Sequence, residues 1–136
     1  MNKIEHIGIA VKSIEEANKV YESLLGVASY KTERVESEGV ETSFFHCGES
    51  KIELLQATHE DSPIAKFIEK RGEGIHHIAF AVDDIKKEMK RLEKEGFILL
   101  NDVPKKGADN KWVAFLHPKS SHGVLVELCQ EIREGE

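Results

Sequence analysis

The 136 residues suit one compact domain or two small fused modules, and 40% hydrophobic beside 32% charged residues describes a real core under a soluble surface. A formal charge of −6 argues against nucleic acid as a partner, and no apolar run approaches the roughly 18 residues that would span a membrane. Cys47 and Cys129 are too few for a disulfide framework or a thiolate metal site; with no signal-peptide pattern at the start, a reducing cytoplasm is expected.

In chain order, residues 4–11 read as a strand. Ile14, Ala17, Val20, Tyr21, Leu24 and Leu25 then fall on one helical stripe. Ser13 and Glu16 have capping-box spacing before it, and Gly26 suits the stop. Strand-like runs follow near 27–34, 40–47 and 51–57. A short helix comes next, with Ser62 as cap, Pro63 at its first position, Ile64, Phe67 and Ile68 on its apolar side, and Gly72 at its end. Residues 75–82 read as a strand again. A second helix starts at the cap Asp84, carries Ile85, Met89 and Leu92, and stops at Gly96. Strands are predicted near 97–103, 111–117 and 123–130. The order is βαβββ twice, an α+β chain, with modules over 1–72 and 73–136.

The two halves share sequence as well as order. IEHIGIAVKSI (4–14) and IHHIAFAVDDI (75–85) agree at six of eleven positions, including His6/His77. Each half also ends on an apolar strand holding a glutamate, Glu53 in Ile52-Glu53-Leu54 and Glu127 in Val126-Glu127-Leu128. Strand alternation puts His6 with Gly8 and Ala10, opposite Ile7, Ile9 and Val11. It puts His77 with Ala79 and Ala81, opposite Ile78, Phe80 and Val82. The bulky faces are expected to pack on helices. The histidine faces are lined by small residues and leave room for a ligand.

A carboxylate buried alone is costly, and two converging carboxylates repel unless a cation lies between them. A divalent metal held by His6, Glu53, His77 and Glu127 resolves both problems. Two nitrogen and two oxygen donors suit Co²⁺, Ni²⁺, Mn²⁺, Fe²⁺ or Zn²⁺. The competing reading of any one of these residues is packing, hydrogen bonding or an edge-strand charge; the recurrence of both types in two halves favours the metal. His46, His59, His117 and His122 have no such counterpart and read as surface or local hydrogen-bonding groups. His76 is expected on the helix side or at the strand mouth.

The stretches IEHIGIAV, LLG, KIELLQA, DSPIAKF, GIHHIAFAVDDI and LHPKSSHGVLVEL resemble the vicinal-oxygen-chelate superfamily, and within it the methylmalonyl-CoA epimerases. The resemblance covers about Ile4 to Gln130. It implies paired βαβββ modules forming a curved mixed sheet around a metal-binding cleft, with helices outside. It implies the same four metal ligands, with Co²⁺ ranked first among the ions above. It also implies interconversion of (2R)- and (2S)-methylmalonyl-CoA through an enolate, with Glu127 as one acid–base group. Relatives can carry a second glutamate two residues past the valine of a Gly-Val pair. Here Gly39-Val40 is followed by Glu41 and Thr42, so Thr42 takes that place and Glu41 is a candidate only if a bulge turns it inward. An acyl-CoA substrate and a homodimer are the partners implied. Lys105, Lys106 and Lys119 are candidate phosphate contacts, against the alternative of solvated turn lysines. The alternatives are glyoxalase I, acting on a glutathione hemithioacetal, then a metal-free small-molecule binding protein of the same superfamily. A ring-cleaving dioxygenase, with two histidines and one carboxylate on iron, is disfavoured by the complete set of four ligands.

Overall fold

The structure is a computed structural model that describes residues 1–136. The chain divides into two compact units, His6–His76 and Met1–Glu5 with His77–Glu136. The first five residues join the second unit partly through the bond from Asn2 N to Ala81 O at 2.9 Å.

In the unit His6–His76, β1 (Lys3–Ala10), which begins just before it, leads through α1 (Ile14–Leu25) to β2 (Lys31–Val35), β3 (Val40–Cys47) and β4 (Ser50–Ala57). The helix α2 (Pro63–Arg71) follows. The strand order is β2-β3-β4-β1, antiparallel except for the parallel pair β1–β4. In the other unit, β5 (Gly74–Ala81), α3 (Ile85–Lys94), β6 (Lys105–Gly107), β7 (Lys111–Leu116) and β8 (Val126–Glu131) repeat the plan, with order β5-β8-β7-β6 and a parallel β5–β8 pair.

The helix starts follow their caps. Ser13 Oγ accepts from Glu16 N, Ser62 Oγ from Ala65 N, and Asp84 Oδ1 from Lys87 N. Each bond satisfies one of the N–H groups that a first helical turn leaves without an internal partner. Gly26 closes α1 at φ 74°, a left-handed conformation that disfavours a side chain.

The sheet faces segregate as alternation requires. Ile9, Val11, Ile52, Leu54 and Phe45 pack on Ile14, Ala17, Tyr21 and Leu25 of α1. Val82, Ala114, Leu116 and Leu128 pack on Ile85, Met89 and Leu92 of α3. On the opposite faces, Ala10, Val40 and Leu55 meet Ile64 of α2, and Ala79, Val113 and Cys129 form a smaller cluster with Phe115. The α1 stripe is narrower than its periodicity predicts: Val20 and Leu24 are 62% and 70% exposed. They flank the Ile14–Ala17–Tyr21–Leu25 line rather than lie on it.

The predicted strand near 97–103 is corrected. Only a single bridge forms there, Leu99 to Leu116, and the edge strand is the three-residue β6 further on. Asn101 Oδ1 accepts from Phe115 N at 2.8 Å, so a side chain takes the place of a backbone carbonyl along β7. Pro104 has no N–H to offer before β6 begins.

Candidate metal and active site

His6 and Glu53 come together because β1 and β4 are parallel neighbours. Gly8 stands beside Glu53 in the ladder, and His6 shares the Gly8 face two residues earlier. Gly8 has no side chain, so the carboxylate reaches along the face to the imidazole. His6 Nδ1 lies 3.0 Å from Glu53 Oε2, and both side chains are 6% exposed.

The other unit repeats this arrangement at equivalent ladder positions. Ala79 stands beside Glu127 in the β5–β8 ladder, and His77 lies two residues before Ala79. His77 Nε2 is 2.9 Å from Glu127 Oε1, with side-chain exposures of 7% and 8%. Phe115 is directly opposite Glu127 on β7 and meets the His77 ring edge-on, centroids 6.1 Å apart. Phe115 is a site residue that the sequence reading missed. Its face follows from the β7–β8 register, which the run Trp112-Val113-Ala114-Phe115 does not reveal by itself.

Burial of each carboxylate requires compensation, and in each unit the imidazole supplies it. The pair geometry also suits a cation. Two donor atoms each about 2.1 Å from a metal and at right angles to one another are about 3.0 Å apart. Both pairs have that spacing, and both offer one nitrogen and one oxygen. The same spacing serves a hydrogen bond, so each pair is preorganised with or without an ion.

The register settles the placement of Glu41. The β3–β4 ladder runs unbroken from Val40–Ala57 to Cys47–Ser50, with no bulge. Glu41 pairs with Gln56, whose Oε1 accepts from Ile14 N at the start of α1. Glu41 is therefore on the helix face. Thr42, with Phe44, is on the face of Glu53, and Thr42 is buried.

The remaining histidines lie elsewhere. His76 meets Phe67 of α2 edge-on at 5.0 Å. His46 stacks on Tyr30 at 3.9 Å. His117 Nδ1 accepts from Lys119 N in its own turn, His122 has φ 55°, and His59 is exposed. Lys119 is exposed.

This fold, with its duplicated histidine–glutamate pairs, has known counterparts. A family model described as the Glyoxalase/Bleomycin resistance protein/Dioxygenase superfamily matches residues 5–115. The chain is 41% identical to the ethylmalonyl-CoA/methylmalonyl-CoA epimerase of Cereibacter sphaeroides, covering 96% of this chain and 98% of that protein. It is 39% identical to the mitochondrial methylmalonyl-CoA epimerase of Homo sapiens, covering 96% and 74%. A structure of Streptomyces coelicolor methylmalonyl-CoA epimerase in complex with 2-nitronate-propionyl-CoA aligns with TM-score 0.90 at 34% identity, covering 96% of this chain and 95% of that one. The chain belongs to the glyoxalase/bleomycin-resistance/dioxygenase superfamily and, within it, to the methylmalonyl-CoA epimerase family of enzymes.

Proposed function

We propose that the protein interconverts (2R)- and (2S)-methylmalonyl-CoA, with His6, Glu53, His77 and Glu127 jointly holding one divalent cation. The observation that carries this reading is the buried histidine–glutamate pair that recurs at equivalent ladder positions in both units. The four side chains offer two imidazole nitrogens and two carboxylate oxygens without a thiolate, a donor set that suits Co²⁺, Ni²⁺, Mn²⁺, Zn²⁺ or Fe²⁺; the family resemblance ranks Co²⁺ first. When bound, such a cation supplies positive charge that stabilises the negative charge developing on a carbonyl oxygen.

The residues of the chain do the proton work. The α-carbon of the substrate lies between a thioester and a carboxylate, which makes its hydrogen acidic. Glu127 is the base that removes this proton from one face, and His77 holds its carboxylate in place. Epimerisation needs a proton delivered to the other face. Glu41 does not enter this reading, because it is on the helix face of β3. We assign the second delivery to a water molecule. The small residues Gly8 and Ala79 add little bulk beside the two glutamates. The acyl-CoA is the one small-molecule partner proposed, on a homodimeric protein. A reducing, cytoplasmic setting accords with a chain whose two cysteines, Cys47 and Cys129, are too few for a disulfide framework.

The test is exchange of the C2 hydrogen of methylmalonyl-CoA in deuterated water, on chelated protein and on protein refilled with cobalt. Exchange restored by cobalt is expected. No exchange with any metal, together with turnover of a glutathione hemithioacetal, would remove the epimerase reading.

A further inference from the structure

The proposed reaction leaves open how the protein grips a substrate that carries negative charge at both ends. Two adjacent lysines on the edge strand, Lys105 and Lys106, are separated by the register. Lys105 pairs with Val113 and Lys106 with Trp112. Val113 in turn pairs with Cys129, and Phe115 with Glu127, all on one face of the sheet. Lys105 therefore shares the face of Glu127 and His77, whereas Lys106 lies on the α3 side.

The side chains follow that assignment. Lys105 is half-buried, and its Nζ lies 5.8 Å from the centre of the Phe115 ring, the same ring that meets His77 edge-on. Lys106 is exposed, with Nζ 5.7 Å from the Trp112 ring. A third lysine, Lys111, also occurs on the Glu127 face, but it is buried. Lys105 thus places an ammonium one aromatic ring away from the His77–Glu127 pair. A cation held against a ring face keeps its charge in a partly desolvated setting, where it attracts an anion more strongly than a solvated lysine does.

We propose that Lys105 is the residue that anchors an anionic group of the acyl-CoA substrate, and that it does so by a charge-assisted hydrogen bond. This inference rests on the epimerase reading. The substrate offers anions of two kinds with the required chemistry, the acyl carboxylate and the phosphate groups of the CoA arm.

The experiment compares Lys105→Ala, Lys105→Arg and Lys106→Ala in steady-state kinetics with methylmalonyl-CoA and with the methylmalonyl ester of pantetheine, which lacks phosphate. Loss of one charge-assisted bond is expected to raise KM for the CoA ester about tenfold or more in Lys105→Ala. Lys105→Arg keeps most of the affinity, and Lys106→Ala stays within about twofold of the parent, as expected of an exposed lysine on the opposite face. A KM rise for both esters identifies the carboxylate as the anchored group. A rise confined to the CoA ester identifies a phosphate of the CoA arm. Unchanged KM in Lys105→Ala, or an equal effect in Lys106→Ala, overturns the proposal. A parent protein that does not turn over methylmalonyl-CoA refutes the epimerase reading instead. Calorimetric titration with malonyl-CoA on parent and Lys105→Ala then judges the lysine separately: weaker binding in the variant supports it, and equal binding overturns it.

Discussion

Gln130 Oε1 accepts a hydrogen bond from Ile85 N at 2.8 Å, tying strand β8 to the first turn of α3 three residues after Glu127. The other unit contains the same device: Gln56 Oε1 accepts from Ile14 N at 2.7 Å, three residues after Glu53. Three residues along a strand reverse the face, so each glutamate and its glutamine point to opposite sides of one strand. The glutamine satisfies an N–H at the start of the helix. In doing so it sets the depth at which its strand, and hence the glutamate, stands against the helix layer.

Replacing Gln130 by Ala leaves the Ile85 N–H without its acceptor. The expected loss of stability is about 1 kcal/mol, the usual value of a helix-start acceptor. Urea denaturation of parent and variant measures it through the midpoint at constant slope. A Glu at position 130 keeps an acceptor and recovers most of the loss. A midpoint that does not move in Gln130→Ala would mean the bond contributes nothing to folding.

The adjacent histidines at 76 and 77 separate packing from ligation. His77→Ala removes the partner of a buried carboxylate, and a destabilisation of about 1–3 kcal/mol is expected for the group left behind. Metal content after cobalt loading, read by elemental analysis and by the visible spectrum of the ion, is expected to fall as well. His76→Ala removes only the edge contact with Phe67 and is expected to retain full loading. Loss of metal in His76→Ala with retention in His77→Ala would reverse the roles given to the two rings.

Glu127→Gln keeps an oxygen next to His77 but cannot take up a proton at neutral pH. Exchange of the substrate C2 hydrogen is expected to slow by about 10²–10⁴-fold, the range for loss of a positioned acid–base group. Thermal unfolding should change little by comparison. Exchange at the parental rate would assign the proton to another group.

Glu88 on α3 provides a pH signature away from the site. The Arg91 guanidinium donates to its carboxylate and holds it below its ordinary value of 4.5. A carboxyl group whose folded value is depressed adds stability above its unfolded value and loses it as the pH falls through the folded one. Arg91→Ala is therefore expected to lower the melting temperature slightly at pH 7, by less in high salt because the pair is at the surface, and its effect is expected to fade as the pH drops through the folded value of Glu88. An effect that does not change on acidification would show that the arginine acts by packing.

How far the site could be read in advance depended on the kind of information involved. His6, Glu53, His77 and Glu127 were legible because a duplicated motif exposes residues that recur for a shared reason. Both histidine faces were legible because alternation along one strand is a local property. The side of Glu41 was not, since it depends on an uninterrupted β3–β4 ladder and a bulge was open to the chain. Lys105 and Lys106 were equivalent as sequence neighbours and became distinct only through their partners on β7. The run 97–103 looked strand-like from its apolar residues, yet its backbone pairs with β7 only around Leu99, and the Asn101 side chain takes the Phe115 N–H.

The sequence by itself determined the two βαβββ repeats, the helix caps and the four candidate ligands, because periodicity, capping chemistry and internal repetition are written within a few consecutive residues. Only the tertiary structure decided which glutamate meets which histidine, which of Lys105 and Lys106 shares the sheet face of Glu127, and that Phe115 belongs beside His77. Those outcomes depend on strand register, which is set by hydrogen bonding between segments far apart in the chain, and a shift of one residue would turn every side chain to the other face.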